Sequence, residues 1–204
     1  MSTEGKIALF DIDNTLAYYE DKLNKDLAKL KSPEEPDIDI HSNNVPEYLK
    51  ERSELIRTVP GWWSTLPVIE HMKHLLIECL LMGYDTNVLT KGPIEKYHAW
   101  TEKIQWCREN LPNTVTPIIV GGKESKGLVY GKVLADDWPG YVKAWLKYRP
   151  RGLALVPSMY YNQELNTHPN VFMVTPNNVH AAKHALEIAY ERKDGEPLDI
   201  SKLK

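Results

Sequence analysis

The sequence predicts an α/β fold, a central parallel sheet flanked by helices with a small helical insertion after the first strand. Three observations carry this expectation. From residue 67 onward, short apolar runs of strand length alternate with longer stretches of helical periodicity, the pattern of parallel strands joined by crossover helices. Two of the apolar runs stop at a pair of acids, Asp11 and Asp13 in KIALFDIDNTL and Asp136 and Asp137 in GKVLADD. Ligands of an open parallel sheet bind beyond the carboxyl ends of its strands, so acids placed there face one crevice. Between the first run and the rest lies a polar, charged stretch that reads as neither core strand nor core helix.

The elements follow in order. The first strand begins near Lys6. Residues 18–31 carry Leu23, Leu27 and Leu30 at helical spacing with charges between them, an amphipathic helix. Residues 32–39, rich in proline and acid, break that pattern, and a second helix follows over 45–58 with Pro46 near its first turn. These two helices form the insertion, 18–60, and leave 1–17 and 61–204 as the core. Residues 67–82 are apolar on nearly all sides and stop at Gly83, as a buried helix with a glycine C-cap does. A strand is expected over 86–89, a helix over 94–110, then strands at 118–120, within 128–135, at 153–156 and at 171–174. The last helix spans 178–192. The charged tail 193–204, with Gly195 and Pro197, is expected on the surface or frayed.

Composition bounds the function. In 204 residues, 42% hydrophobic and 26% charged, there is room for one sizeable core plus an insertion in an ordinary soluble protein. A net charge of -3 gives no basic footprint for polymeric nucleic acid, so none is expected as partner. Cys79 and Cys107 are the only cysteines, too few for a disulfide framework or zinc cage. Buried thiols and a cytoplasmic location are expected. The start MSTEGK lacks an apolar signal region, and no apolar run is long enough to span a membrane.

The acids carry the chemistry. Carboxylates held this close repel unless a cation or proton separates them, and magnesium, a hard ion preferring oxygen ligands, is the expected solution. Between the two pairs, NVLTKGP ends an apolar run in Thr90, Lys91 and Gly92. The Thr90 hydroxyl and the amides of Lys91 and Gly92 offer donors to a phosphate, at an expected helix N-terminus. The loop GGKESKG offers Lys123 and Lys126 to neutralise anionic oxygen. Trp62 and Trp63, where the insertion rejoins the core, are expected at the rim of the crevice, where an indole can stack on a nucleobase. Tyr18 and Tyr19 could line the same pocket. His71 with His74, and His180 with His184, lack a third ligand and read as surface or packing residues.

DIDNT resembles the first motif of the haloacid dehalogenase-like superfamily, D-x-D-x-T, and Thr90 resembles its second. KGLVYGKVLADDWP resembles, in spacing and in its DD-x-P ending, a stretch of the 5'(3')-deoxyribonucleotidases, as do GWWSTLPVIEHM and IEKYHAW. The likeness covers residues 6–139 with gaps. It departs at Asn14-Thr15, where that subfamily commonly has Gly-Val, and in a shorter insertion. The resemblance implies a Rossmann-like core with a small cap, and a magnesium-dependent phosphomonoesterase acting on (deoxy)ribonucleoside 5'-monophosphates. It makes Asp11 the nucleophile, Asp13 the proton shuttle, Lys126 the third-motif lysine, and Asp136, supported by Asp137, a magnesium ligand beside Asp11 and Asp13. It also brings the expectation of a homodimer. Other readings are a phosphatase of another small ester or of nucleic-acid 3'-ends, and a catalytically silent binding module.

Overall fold

The computed structural model describes residues 5–36, 45–122 and 124–204. Six parallel strands form one sheet in the order β3-β2-β1-β4-β5-β6. These are β1 (Ile7–Phe10), β2 (Asp85–Lys91), β3 (Thr116–Val120), β4 (Val133–Ala135), β5 (Leu153–Pro157) and β6 (Val171–Val174). The order reverses between β1 and β4, which lie side by side with Phe10 opposite Ala135. That reversal opens a crevice at the strands' carboxyl ends, where both acid pairs begin.

Alternation along the strands serves two apolar layers, because successive side chains point to opposite faces. Ala8, Phe10, Val133, Ala135, Leu153 and Leu155 pack into one cluster with α3 (Glu70–Met82), α4 (Tyr97–Asn110) and α7 (Val179–Glu191). Leu9, Leu89, Leu134, Ala154 and Val156 pack into the other with Val142, Trp145 and Leu146 of α6 (Pro139–Tyr148). Burial on both sides accounts for strands that read as nearly continuous apolar runs. The expected α/β architecture, a parallel sheet flanked by helices, is the one observed.

The insertion contributes α1 (Tyr19–Lys29) and α2 (Glu47–Ile56). Leu23 and Leu27 are buried as their spacing predicts, whereas Leu30, beyond the last helical residue, is exposed. A two-bond ion pair from Arg52 to Glu35, at 2.6 and 2.9 Å, ties α2 to the stretch that follows α1. Residues 37–44, including part of the expected proline-rich break, lie outside the described residues.

The structure narrows two expected elements, adds a helix where none was expected, and anchors the tail. The strand within 128–135 shrinks to β4, because 125–128 form a single helical turn, α5 (Ser125–Leu128). The helix expected from residue 94 starts at Tyr97, after a turn closed by the Lys96 amide on the Pro93 carbonyl at 3.1 Å. After Asp137 the chain enters α6, where Pro139 takes the first turn and the Val142, Trp145 and Leu146 spacing buries one stripe. The tail is anchored, not frayed: Leu198 and Ile200 are buried in the larger cluster. Both cysteines are free and buried. Among the described residues no helix is long and apolar enough to cross a membrane.

Candidate active site

The site is built where β1 and β4 end. Asp11 follows β1 and its amide donates to the Ala135 carbonyl at 2.8 Å, continuing the ladder one residue past the strand. The chain then turns sharply: Asn14 adopts a left-handed conformation with φ 52°, which asparagine tolerates better than most residues. Its side chain accepts from the Glu20 amide at 2.9 Å and donates to the Tyr161 hydroxyl at 3.1 Å. Asp136 and Asp137 follow β4, and the Asp136 carboxylate accepts from the Trp138 amide at 2.9 Å, just before α6.

Lys126, carried by α5, is 1% exposed. Its ammonium lies 2.8 Å from Asp11 and 2.7 Å from Asp136, and 4.7 Å from the Tyr141 ring. Burial pulls its pKa down, but the charges of Asp11 and Asp136 outweigh that and hold it above the ordinary lysine value. Oxygens of Asp11, Asp136 and Asp137 lie within 4.8 Å of one another, and all three residues are buried. Burial first, then the neighbouring charge of Asp11, leaves the Asp136 carboxyl raised to about 6. Asp137 is pushed well above the usual range by burial and by Asp136 and Asp11. Tyr161 donates its hydroxyl to Asp137, and Asn162 donates to the Asp137 carbonyl at 2.9 Å, so this carboxylate is held in place.

Asp13 behaves differently from the expectation that it joins the metal ligands. Its carboxylate lies outside the trio and is taken by Lys103, at 2.6 Å. Lys103 projects from α4, is 1% exposed, and also donates to Thr90 Oγ1 at 3.1 Å and to the Lys91 carbonyl at 2.8 Å. Burial and the charge of Asp11 raise the Asp13 pKa while Lys103 opposes them. When ionised, the four carboxylates exceed the two lysines paired with them by two charges, with Lys91 and Arg57 also on the cleft wall. An all-oxygen donor set with that surplus fits a hard divalent cation such as magnesium. Asp11, Asp136 and Asp137 are the residues that would hold it.

The remaining expected residues divide. Lys91 and Trp63 line the cleft with Asp11, Asp13, Lys126 and Asp137; Trp62 and Tyr18 do not. Trp62 is buried and donates its indole N–H to Asp26 on α1 at 2.9 Å. Trp63 is 3% exposed, stacked on Tyr19 with centroids 5.5 Å apart, so little of its face is free. Of Tyr18 and Tyr19, both expected near the pocket, Tyr19 lines it. Gly92 does not offer its amide to a phosphate, since that N–H donates to the Val120 carbonyl at 3.0 Å. Its lack of a side chain serves packing: a Cβ there would lie 2.2 Å from the Trp100 ring. No helix starts at Thr90; the next begins at Tyr97. Lys123 lies outside the described residues.

Sequence reasoning missed Lys103, Arg57 and Trp138. Lys103 lies thirteen positions beyond Thr90 (103 minus 90), on a helix whose start was placed early, and nothing in its surroundings in the chain distinguishes it from a surface lysine. Arg57, at the end of α2, reaches the cleft and donates to the Tyr19 hydroxyl at 3.2 Å. Trp138 lines the same cleft at 47% exposure. Its position directly after Asp137 was the available signal.

No protein-family model matches the chain, and no curated protein matches it in sequence. Solved structures do match in shape. A candidate beta-phosphoglucomutase from Bacteroides vulgatus superposes with a TM-score of 0.57 at 15% identity, covering 94% of this chain and 92% of that one. A haloacid dehalogenase-like family hydrolase from Streptococcus pneumoniae gives 0.54 at 13%, covering 87% and 98%. A candidate beta-phosphoglucomutase from Thermotoga maritima gives 0.54 at 15%, covering 88% and 99%. The chain thus has the α/β, Rossmann-like fold of the haloacid dehalogenase-like hydrolases.

Proposed function

We propose that the chain is a magnesium-dependent phosphomonoesterase of the haloacid dehalogenase-like superfamily that hydrolyses nucleoside 5'-monophosphates. The observation that carries the reaction is Lys126, buried and shared between Asp11 and Asp136, at the reversal point of a parallel sheet. A buried carboxylate facing an open cleft, with a cation beside it, is a nucleophile poised against a phosphoryl group.

In the first step an Asp11 oxygen attacks phosphorus as the bond to the leaving oxygen breaks, giving an aspartyl phosphate. Asp13 gives a proton to that leaving oxygen, and burial, the largest influence on it, raises its pKa from the ordinary carboxylate value. In the second step water attacks phosphorus, the bond to Asp11 breaks, and Asp13 takes a proton from the water. Lys126 neutralises equatorial oxygen throughout. Magnesium, when bound, supplies charge neutralisation at the phosphoryl oxygens. Lys103 holds the Asp13 carboxylate in place during both steps. Residues 18–60 act as a small cap, contributing Tyr19 and Arg57 to the cleft wall.

The competing substrate is a phosphosugar, which the likeness to two candidate beta-phosphoglucomutases keeps in view. A panel of nucleoside monophosphates, sugar phosphates and 3'-phosphorylated oligonucleotides, assayed for released phosphate with magnesium and with chelator, separates the readings. Asp11→Asn is expected to remove turnover by at least about a thousandfold while leaving the circular dichroism spectrum unchanged. An active Asp11→Asn protein overturns the nucleophile assignment, and equal slow turnover of every ester overturns the nucleotide assignment.

A further inference from the structure

The indoles expected to meet a base are unavailable, at 5% exposure for Trp62 and 3% for Trp63. Trp138 has the opposite character. Its ring is 47% exposed and lines the cleft one residue from Asp137. A single exposed aromatic residue is ordinary on a protein surface, so position and restraint must distinguish this one. Its backbone is held by the hydrogen bond its amide donates to the Asp136 carboxylate, at 2.9 Å, and by Pro139 in the first turn of α6. Glycine at 140 lets the indole lie along the helix start, since a Cβ there would stand 3.1 Å from the indole nitrogen. On the other side the Tyr161 ring sits 5.8 Å away, with its hydroxyl tied to Asp137 and Asn14. These neighbours narrow the positions open to the indole before a ligand arrives, which lowers the ordering cost of binding.

We propose that Trp138 is the platform on which the flat leaving group of the substrate stacks, selecting phosphate esters of heteroaromatic nucleosides over those of sugars and aliphatic alcohols. This rests on the phosphatase reading of Asp11. Above the acids the cleft, of about 260 Å³, is walled by Tyr19, Trp63, Pro93, Trp138, Tyr141 and Tyr161. Among the described residues that line it, the one uncharged amide is Asn14, and its side chain is committed to Glu20 and Tyr161. Aromatic rings make up much of that wall, and beside the acids, Lys126 and Asn14 its polar groups are Lys91, Arg57 and the tyrosine hydroxyls. A planar base loses little, because stacking asks only for a π face. Arg57 stands on the wall contributed by the insertion, where it can meet the polar edge of a base.

Equilibrium binding to the Asp11→Asn protein with magnesium tests the proposal without turnover. The probes are adenosine 5'-monophosphate, thymidine 5'-monophosphate and glycerol 3-phosphate, read by calorimetry. Adding Trp138→Ala is expected to lower the ratio of nucleotide to glycerol phosphate affinity about tenfold or more, and Trp138→Phe to restore most of it. An unchanged ratio, whether from equal losses or from none, overturns the proposal, as does absence of nucleotide binding by the Asp11→Asn protein. The phosphatase reading fails separately: wild-type protein that binds nucleotide with the expected Trp138 dependence yet releases no phosphate keeps the platform and removes the reaction.

Discussion

At the scale of single residues, sequence legibility followed chemistry that is local in the chain. Asp11, Asp13, Asp136 and Asp137 stand out because acids seldom close apolar strands. Asn14 explains its own departure from the glycine of the resembling subfamily: at φ 52° either residue relieves the left-handed backbone. Lys103 was not legible, since its meaning arises only when α4 folds over β2 and brings its ammonium to Asp13 and Thr90. Losing it would leave the partly buried Asp13 carboxylate, 28% exposed, without its counter-charge. Lys103→Met is therefore expected to reduce turnover by at least about a hundredfold and to lower the melting temperature by several degrees. Steady-state kinetics beside a thermal melt check both; a variant with wild-type turnover removes Lys103 from the support of Asp13.

At the scale of elements, periodicity located the helices that bury a stripe and failed where packing or turns intervene. α6 carries both a first-turn proline and the Val142, Trp145, Leu146 spacing, signals that are local in the chain and therefore legible. The shortened β4 was not, because nothing in KGLVYGKVLA distinguishes a helical turn from a strand before tertiary contacts form. α1 offers a prediction of its own. Burial pushes the Asp26 pKa up, but hydrogen bonds from Lys29, Trp62 and Lys22 outweigh it and bring the value to about 2, from 3.8. A depressed carboxyl pKa stabilises the fold fully above the unfolded value, near 4, and the contribution is lost as pH falls through about 2. The pairs are partly solvated, so the contribution is about 1 kcal/mol after screening. Asp26→Asn is expected to lower stability by that amount at pH 7 and to match the wild type near pH 2, as read by urea unfolding at the two pH values. A constant difference at both assigns the effect to packing around Trp62 and not to charge.

At the scale of the whole molecule, the crevice exists because the strand order reverses between β1 and β4, and it concentrates charge that the chain alone does not balance. The net charge of -3 is small, yet four acids and two lysines meet in one buried site. Folding must hold them there, which is why burial and neighbouring charge raise the carboxyl pKa of Asp136 to about 6 and that of Asp137 higher. A cation that binds only the folded state adds its binding free energy to stability. At a hundredfold excess over its dissociation constant that is about 2.7 kcal/mol, or roughly 5–10 °C in melting temperature for a chain of this size. Magnesium is expected to raise the melting temperature by that order, chelator to reverse it, and Asp136→Asn to remove most of the response. Sodium at equal ionic strength controls for screening, since a diffuse salt effect acts on all charges and does not depend on Asp136. A melting temperature indifferent to magnesium, in the presence of a folded site, shows that the two lysines and bound protons balance the acids by themselves and rejects the trio as a metal site.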